Sequence, residues 1–123
     1  MIQSIIVIEP DPLVRMDLMG ALQDGHVDAI LSECATVSDA TPLVLQAKGP
    51  VTVFVNSSLM PQLEPATQHA IIQSRGKIIC VGDARPTVVP ITILEKPFTT
   101  PMIMDALSNG AHGRPVSRPE VRT

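Results

Sequence analysis

Aromatic side chains are almost missing from this chain: it has two Phe and no Tyr or Trp, 2% of its residues. The core must therefore be aliphatic, and the loops hold no Tyr or Trp on which a flavin or a base would stack. A basic surplus is missing too. The formal charge is −3 and the pI about 5.5, which gives no electrostatic attraction to nucleic acid or to an anionic membrane. No apolar run approaches the ~20 residues that a membrane span needs. The N-terminus enters a strand-like run directly, without a basic segment followed by an apolar one. No secretory signal is expected, and a cytoplasmic location is the default. Cys34 and Cys80 lie 46 positions apart and match no metal spacing, so two buried, reduced thiols are expected. His26, His69 and His112 are scattered, and no Gly-rich phosphate loop follows any strand-like run. Neither a metal nor a cofactor is expected.

The chain does have length for one core: 123 residues, 45% of them hydrophobic. Strand-like and helix-like segments alternate along it. Residues 2–8 form a continuous Ile/Val-rich run, the pattern of a strand covered on both faces. After a loop over 9–12, Pro12 suits the first turn of a helix with Asp11 as N-cap. Leu13, Met16, Leu18, Met19 and Leu22 then recur at helical spacing, and Asp24-Gly25 stops the helix. Residues 27–33 read as a weaker strand nearer a sheet edge. A helix over 39–48 is capped by Ser38 or Asp39 and ended by Gly49-Pro50. A strand over 51–55, a polar loop over 56–64, a helix over 65–75, strands over 77–81 and 91–94 and a helix over 100–109 complete residues 1–110. The tail, 111–123, holds Gly113, Pro115, Pro119 and three arginines. It buries nothing obvious and is expected to be disordered.

Such alternation predicts a parallel sheet with right-handed crossovers. Sites in such sheets lie beyond the carboxyl ends of the strands. Glu9, Asp11, Asn56, Gly82, Asp83 and Lys96 all fall there. The segment Ile5-Ile6-Val7-Ile8-Glu9-Pro10-Asp11-Pro12 resembles the opening of a bacterial response-regulator receiver domain. Leu94-Glu95-Lys96-Pro97-Phe98 resembles its closing motif, and the order of elements matches over about residues 2–110. The resemblance implies a flavodoxin-like three-layer α/β fold, with five parallel strands in the order 2-1-3-4-5. It also implies a pocket in which two acids and an aspartate bind magnesium, the aspartate accepts a phosphoryl group, and a lysine neutralises developing charge.

By position, Glu9 matches the first acid, while Pro10 replaces the second and Asp11 stands one residue along. Asn56 replaces the acceptor, Gly82 the switch hydroxyl and Ile93 the switch aromatic. Only Lys96-Pro97-Phe98 is intact. An amide forms no acyl phosphate, and a hard cation that wants several anionic oxygens has lost two. Without a phosphoryl group, Lys96 is expected to pair with Glu9, and Lys96-Pro97 to keep the family's cis bond. Fourteen steps separate Gly82 from Lys96 and include Pro86 and Pro90, so the fourth helix should be shortened or missing.

The expected function is that of a non-phosphorylatable receiver acting in a two-component or phosphorelay pathway. Its partner would be a kinase, phosphotransfer or effector protein, or a second copy of the chain. It would not be an enzyme, and neither nucleic acid nor membrane would be a partner. Met60, Leu63, Val88 and Val89 either cap the core or form a contact patch. Two other readings stand beside this one: a phosphorylatable receiver rearranged around Asp11 or Asp83, and a small-molecule-binding flavodoxin-like domain. Ser57 and Ser58 follow the acceptor position; either could offer a hydroxyl acceptor, but no base is apparent beside them and loop serines are common.

Overall fold

A continuous β-branched run has no polar face to turn to water, and the first strand of this chain is buried on both sides. The computed structural model describes residues 2–82, 91–94 and 98–108, and the backbone of 115–116. Strands β1 (Gln3–Ile8), β2 (Ala29–Cys34), β3 (Val51–Asn56), β4 (Ile78–Val81) and β5 (Thr92–Leu94) pair in parallel in the order 2-1-3-4-5. The alternation predicts the parallel sheet, and this strand order is the flavodoxin-like one that the resemblance implies. The backbone of Pro115–Val116 adds a sixth, two-residue parallel strand, β6, beside β5. It falls within the tail that the composition predicts to be disordered.

Alternate residues of each strand enter opposite layers. Ile6, Ile8, Val53, Val55, Ile78, Cys80 and Ile93 pack under α2 (Val37–Gln46) and α3 (Pro65–Gln73), against Val37, Ala40, Val44 and Ile71. Ile5, Val7, Phe54, Ile79, Val81 and Leu94 pack on the other side. There they meet Leu18 and Leu22 of α1 (Pro12–Asp24) and Met102, Ile103 and Ala106 of α4 (Thr100–Ser108). At a transfer free energy of ~25 cal/mol per Å² of apolar area, these two aliphatic clusters are the main drive to fold.

Local chemistry sets the helix ends. Asp11 caps α1 and Pro12 opens it, as the sequence predicts. Helix α2 begins earlier than predicted, because the Thr36 hydroxyl, not Ser38 or Asp39, accepts from the Asp39 amide. It also tolerates Pro42 in its interior, where the missing N–H leaves the carbonyl of exposed Ser38 to water. Within the predicted loop 56–64, Ser57–Gln62 winds into a 3-10 helix. That turn buries Met60 and Leu63, so both cap the core and neither contributes to a contact patch. Val88 and Val89 lie outside the described residues, as do 83–90 where the fourth helix is expected to be short or missing.

One close approach fixes the entry to β3. A Cβ on Gly76 would lie 1.5 Å from the Val51 carbonyl oxygen. Beside it the Ser74 hydroxyl accepts from the Val51 amide at 3.0 Å and donates to the Ile71 carbonyl at 2.6 Å. Cys34 and Cys80 are buried and form no disulfide. Among the described residues, no helix is long and apolar enough to cross a membrane.

Candidate functional site

Strands β1 and β3 are neighbours in register, with Ile8 beside Val55. Their next residues, Glu9 and Asn56, therefore emerge side by side at the carboxyl edge of the sheet. The Glu9 amide continues the ladder by donating to the Cys34 carbonyl at 2.9 Å. Its side chain is only 1% exposed, and a buried carboxyl needs partners. It has two among the described residues. Asn56 Nδ2 donates to Glu9 Oε1 at 2.9 Å, and the Asp11 amide donates to Glu9 Oε2 at 3.0 Å.

The orientation of the Asn56 amide follows from its other end. Oδ1 accepts from the Ser58 amide at 2.8 Å and from the Ser58 hydroxyl at 2.7 Å. A backbone N–H only donates, so the atom facing it is the oxygen and the NH2 group faces Glu9. The amide thus bridges the β1–α1 loop and the start of the 3-10 helix. An aspartate here would keep the Ser58 contacts and set a carboxylate against a carboxylate.

Of the other predicted site residues, Asp11 is exposed, and its carboxylate accepts from the Leu13 amide at 2.9 Å as the cap of α1. The structure brings its backbone, but not its side chain, to Glu9. Gly82 adopts φ +119° and donates its N–H to the Leu94 carbonyl at 2.8 Å. A Cβ there would lie 2.6 Å from Ser57 Oγ. The hydroxyl of position 57 thus stands over the place from which a side chain at 82 would project. Lys96, its peptide bond to Pro97, and Asp83 lie outside the described residues.

Arg15 was not among the residues expected at the site, and Ser58 was expected only as a neighbour of position 56. Arg15, one turn into α1, reaches back so that Nη1 donates to the Glu9 carbonyl at 2.7 Å, and Nε pairs with Glu33 Oε1 at 3.2 Å. Ser58 orients the amide. The signal for Arg15 was its i+4 spacing from the Asp11 cap, which turns it toward the strand ends. Ser58 left only the weak mark of a serine two residues after Asn, as in an Asx turn.

The donor set does not fit magnesium. Position 10 is a proline, the Asp11 carboxylate is spent on the helix cap, and position 56 presents N–H to the Glu9 carboxylate. Among the described residues, no three His, Cys, Asp or Glu side chains converge as metal ligands. A separate cleft of about 380 Å³ lies between α1 and the start of α4, lined by Asp17, Asp24, Phe98 and Thr99 among others.

No family model matches the chain, and no curated protein matches it. Among solved structures, a 3-dehydroquinate dehydratase-like protein from Bifidobacterium longum is similar in shape. It is 16% identical over 72% of this chain and 77% of that one, with a TM-score of 0.44. Likeness at that level carries no argument about the chemistry of this chain.

Proposed function

We propose that the chain is a receiver-like signalling module that lacks phosphoryl chemistry and works through protein–protein contact. The observation that carries this reading is the 2.9 Å hydrogen bond from Asn56 Nδ2 to Glu9 Oε1. It puts a neutral donor where the resemblance expects an anionic acceptor, and it satisfies the buried acid without a cation. The two loops that a phosphoryl group and its metal would reorder are instead tied to each other. Such a module has a fixed surface and catalyses neither its own phosphorylation nor its dephosphorylation. Its partner is a kinase, phosphotransfer or effector protein of a two-component pathway, or a second copy of the chain, in the cytoplasm. In this reading Lys96 keeps the family's place without its substrate.

The test is an amide NMR titration with magnesium and then beryllofluoride, a mimic of the acyl phosphate. The expected result is that the Glu9, Asn56 and Ser58 resonances stay fixed at millimolar metal. Saturable shifts of all three would overturn the reading and restore a phosphorylatable receiver.

A further inference from the structure

Strand β2 forms one edge of the sheet. It pairs with β1, and among the described residues no strand pairs with its outer side. The Glu9 amide donates to the Cys34 carbonyl, so Cys34 turns its backbone groups toward β1. Ser32 and Ile30 do the same, because backbone direction alternates along a strand. Ala29, Leu31 and Glu33 therefore turn their N–H and C=O groups outward. Natural sheets guard such an edge with proline, with lysine or another charge, with a bulge or with a covering segment. The run Ala29-Ile30-Leu31-Ser32-Glu33-Cys34 holds neither proline nor lysine, and its register with β1 is unbroken. Its one charge, on Glu33, is paired with Arg15 at 3.2 Å. Ile30, on the same face of the strand as Cys34, is 57% exposed, an apolar side chain beside an open backbone edge.

We propose that the outer edge of β2 binds β2 of a second copy of this chain, antiparallel about a twofold axis. What points to a copy is that the strand complements itself. With Leu31 opposite Leu31 of the second copy, Ala29 faces Glu33 of that copy, and Glu33 faces its Ala29. Each of these pairs joins outward-facing residues and exchanges both N–H···O bonds. The two acids lie at opposite ends of the seam, each beside a small side chain and its own Arg15, so no like charges face each other. On the other face, Ile30 stands opposite Ser32 of the second copy, and the two Ile30 side chains become diagonal neighbours that cover each other. Sliding the register by two residues leaves two such outward pairs in place of three. The product is one sheet continuous through both copies. The inference rests on the contact-only reading proposed above for its role, and it chooses the second copy among that module's partners.

The experiment follows sedimentation of the full chain from micromolar to submillimolar concentration, with amide exchange measured over the same range. A reversible dimer is expected. The Leu31 and Glu33 amides should exchange more slowly as concentration rises, while the Ser32 amide, which already faces β1, changes little. Ile30→Lys places a charge at an exposed position outside the core and is expected to weaken dimerisation by about tenfold or more. Leu13→Lys, at an apolar residue of α1 that is 67% exposed, should leave it unchanged. A chain that is monomeric at every concentration overturns the proposal. So does a dimer whose Leu31 and Glu33 amides exchange at the monomer's rate, or one that Leu13→Lys weakens and Ile30→Lys does not. Failure here is distinct from failure of the proposed function. A dimer with this seam whose Glu9 and Asn56 resonances shift saturably with beryllofluoride overturns that function and keeps the seam, whereas a monomer that ignores beryllofluoride keeps the function and removes the seam.

Discussion

Replacing Asn56 with Asp changes one N–H into an oxygen and turns the bridge to Glu9 into a repulsion. The Nδ2–Oε1 distance is 2.9 Å, which sets the two carboxylate charge centres about 4 Å apart. At an effective dielectric constant of ~20, two like charges at that distance repel by about 4 kcal/mol. The alternative is to protonate one carboxyl. At pH 7, for a group of ordinary acidity near 4, that also costs about 4 kcal/mol. Neither route escapes the penalty, so a loss of about 3–4 kcal/mol is expected at pH 7. Asn56→Ala loses less, about 1.5–3 kcal/mol, because it removes a donor to a buried acid without adding a charge.

The sign with pH separates the two variants. A shared proton between the paired acids repairs Asn56→Asp as pH falls toward 4, whereas the Ala variant gains nothing of the kind. Millimolar magnesium is expected to restore little of the stability of Asn56→Asp at pH 7, because Pro10 and the capping role of Asp11 leave too few oxygens to hold it. Exchanging the groups, Glu9→Gln with Asn56→Asp, again places an amide against a carboxylate and should recover most of the lost stability. Urea unfolding followed by far-UV circular dichroism reads all of these, since the chain has no Trp. If Asn56→Asp is as stable as the native chain at pH 7 without divalent cation, the reasoning about the bridge is wrong.

Two other outcomes follow from the same geometry. Asp11→Ala should cost about 1 kcal/mol as a lost helix cap; Asp11→Asn keeps the cap oxygen, and a large loss in the Asn variant by urea titration would mean that the Asp11 charge matters to the site. Burial, then Asp39, then Glu33 raise the Cys34 pKa against an opposing effect of Arg15. The fold therefore favours the thiol, and this contribution is complete below the unfolded thiol's pKa of ~8.5 and is lost as pH rises through the folded value. The stability advantage of the native chain over Cys34→Ala should accordingly shrink above about pH 8.5, and a difference that grows there would contradict the assignment.

The sheet was legible because its signals are long-range in character but local in sequence. The Ile5–Ile8 and Val51–Val55 runs are too apolar for any edge or surface position, and Asp11-Pro12 marks a helix start by two independent features. Legibility failed where tertiary context outweighed local preference. The helix expected over 39–48 does run through Pro42, where Val37, Ala40 and Val44 hold it on the sheet, but its start lies earlier. The start of α2 moved because Thr36, Ser38 and Asp39 are all adequate caps, and only the packing of Val37 chooses among them. Met60 and Leu63 could be read either as capping the core or as a contact patch, because a 3-10 turn has no hydrophobic period long enough to decide; both are buried. At the site, Glu9 and Asn56 could be placed at strand ends from sequence. The i+4 spacing of Arg15 from Asp11 gives its face of α1 but not its partners, and the role of Ser58 depends on side-chain direction.

The chemical identity of position 56 makes sense only together with the burial of Glu9. A carboxyl that is 1% exposed requires a donor on each oxygen, and the backbone of the β1–α1 loop supplies one, from Asp11. The second must come from across the sheet, from the residue after Val55. An apolar side chain there would strand Oε1, at a cost of about 1–3 kcal/mol for an unsatisfied buried acceptor. A carboxylate would require a cation, and the neighbouring positions have lost the oxygens to hold one, through Pro10 and through the capping role of Asp11. An asparagine needs neither, and Ser58 turns its NH2 group the required way. The amide at 56, the proline at 10 and the capping acid at 11 are therefore one consistent arrangement around the buried Glu9 carboxyl. Replacing the amide at 56 alone with a carboxylate should weaken the fold.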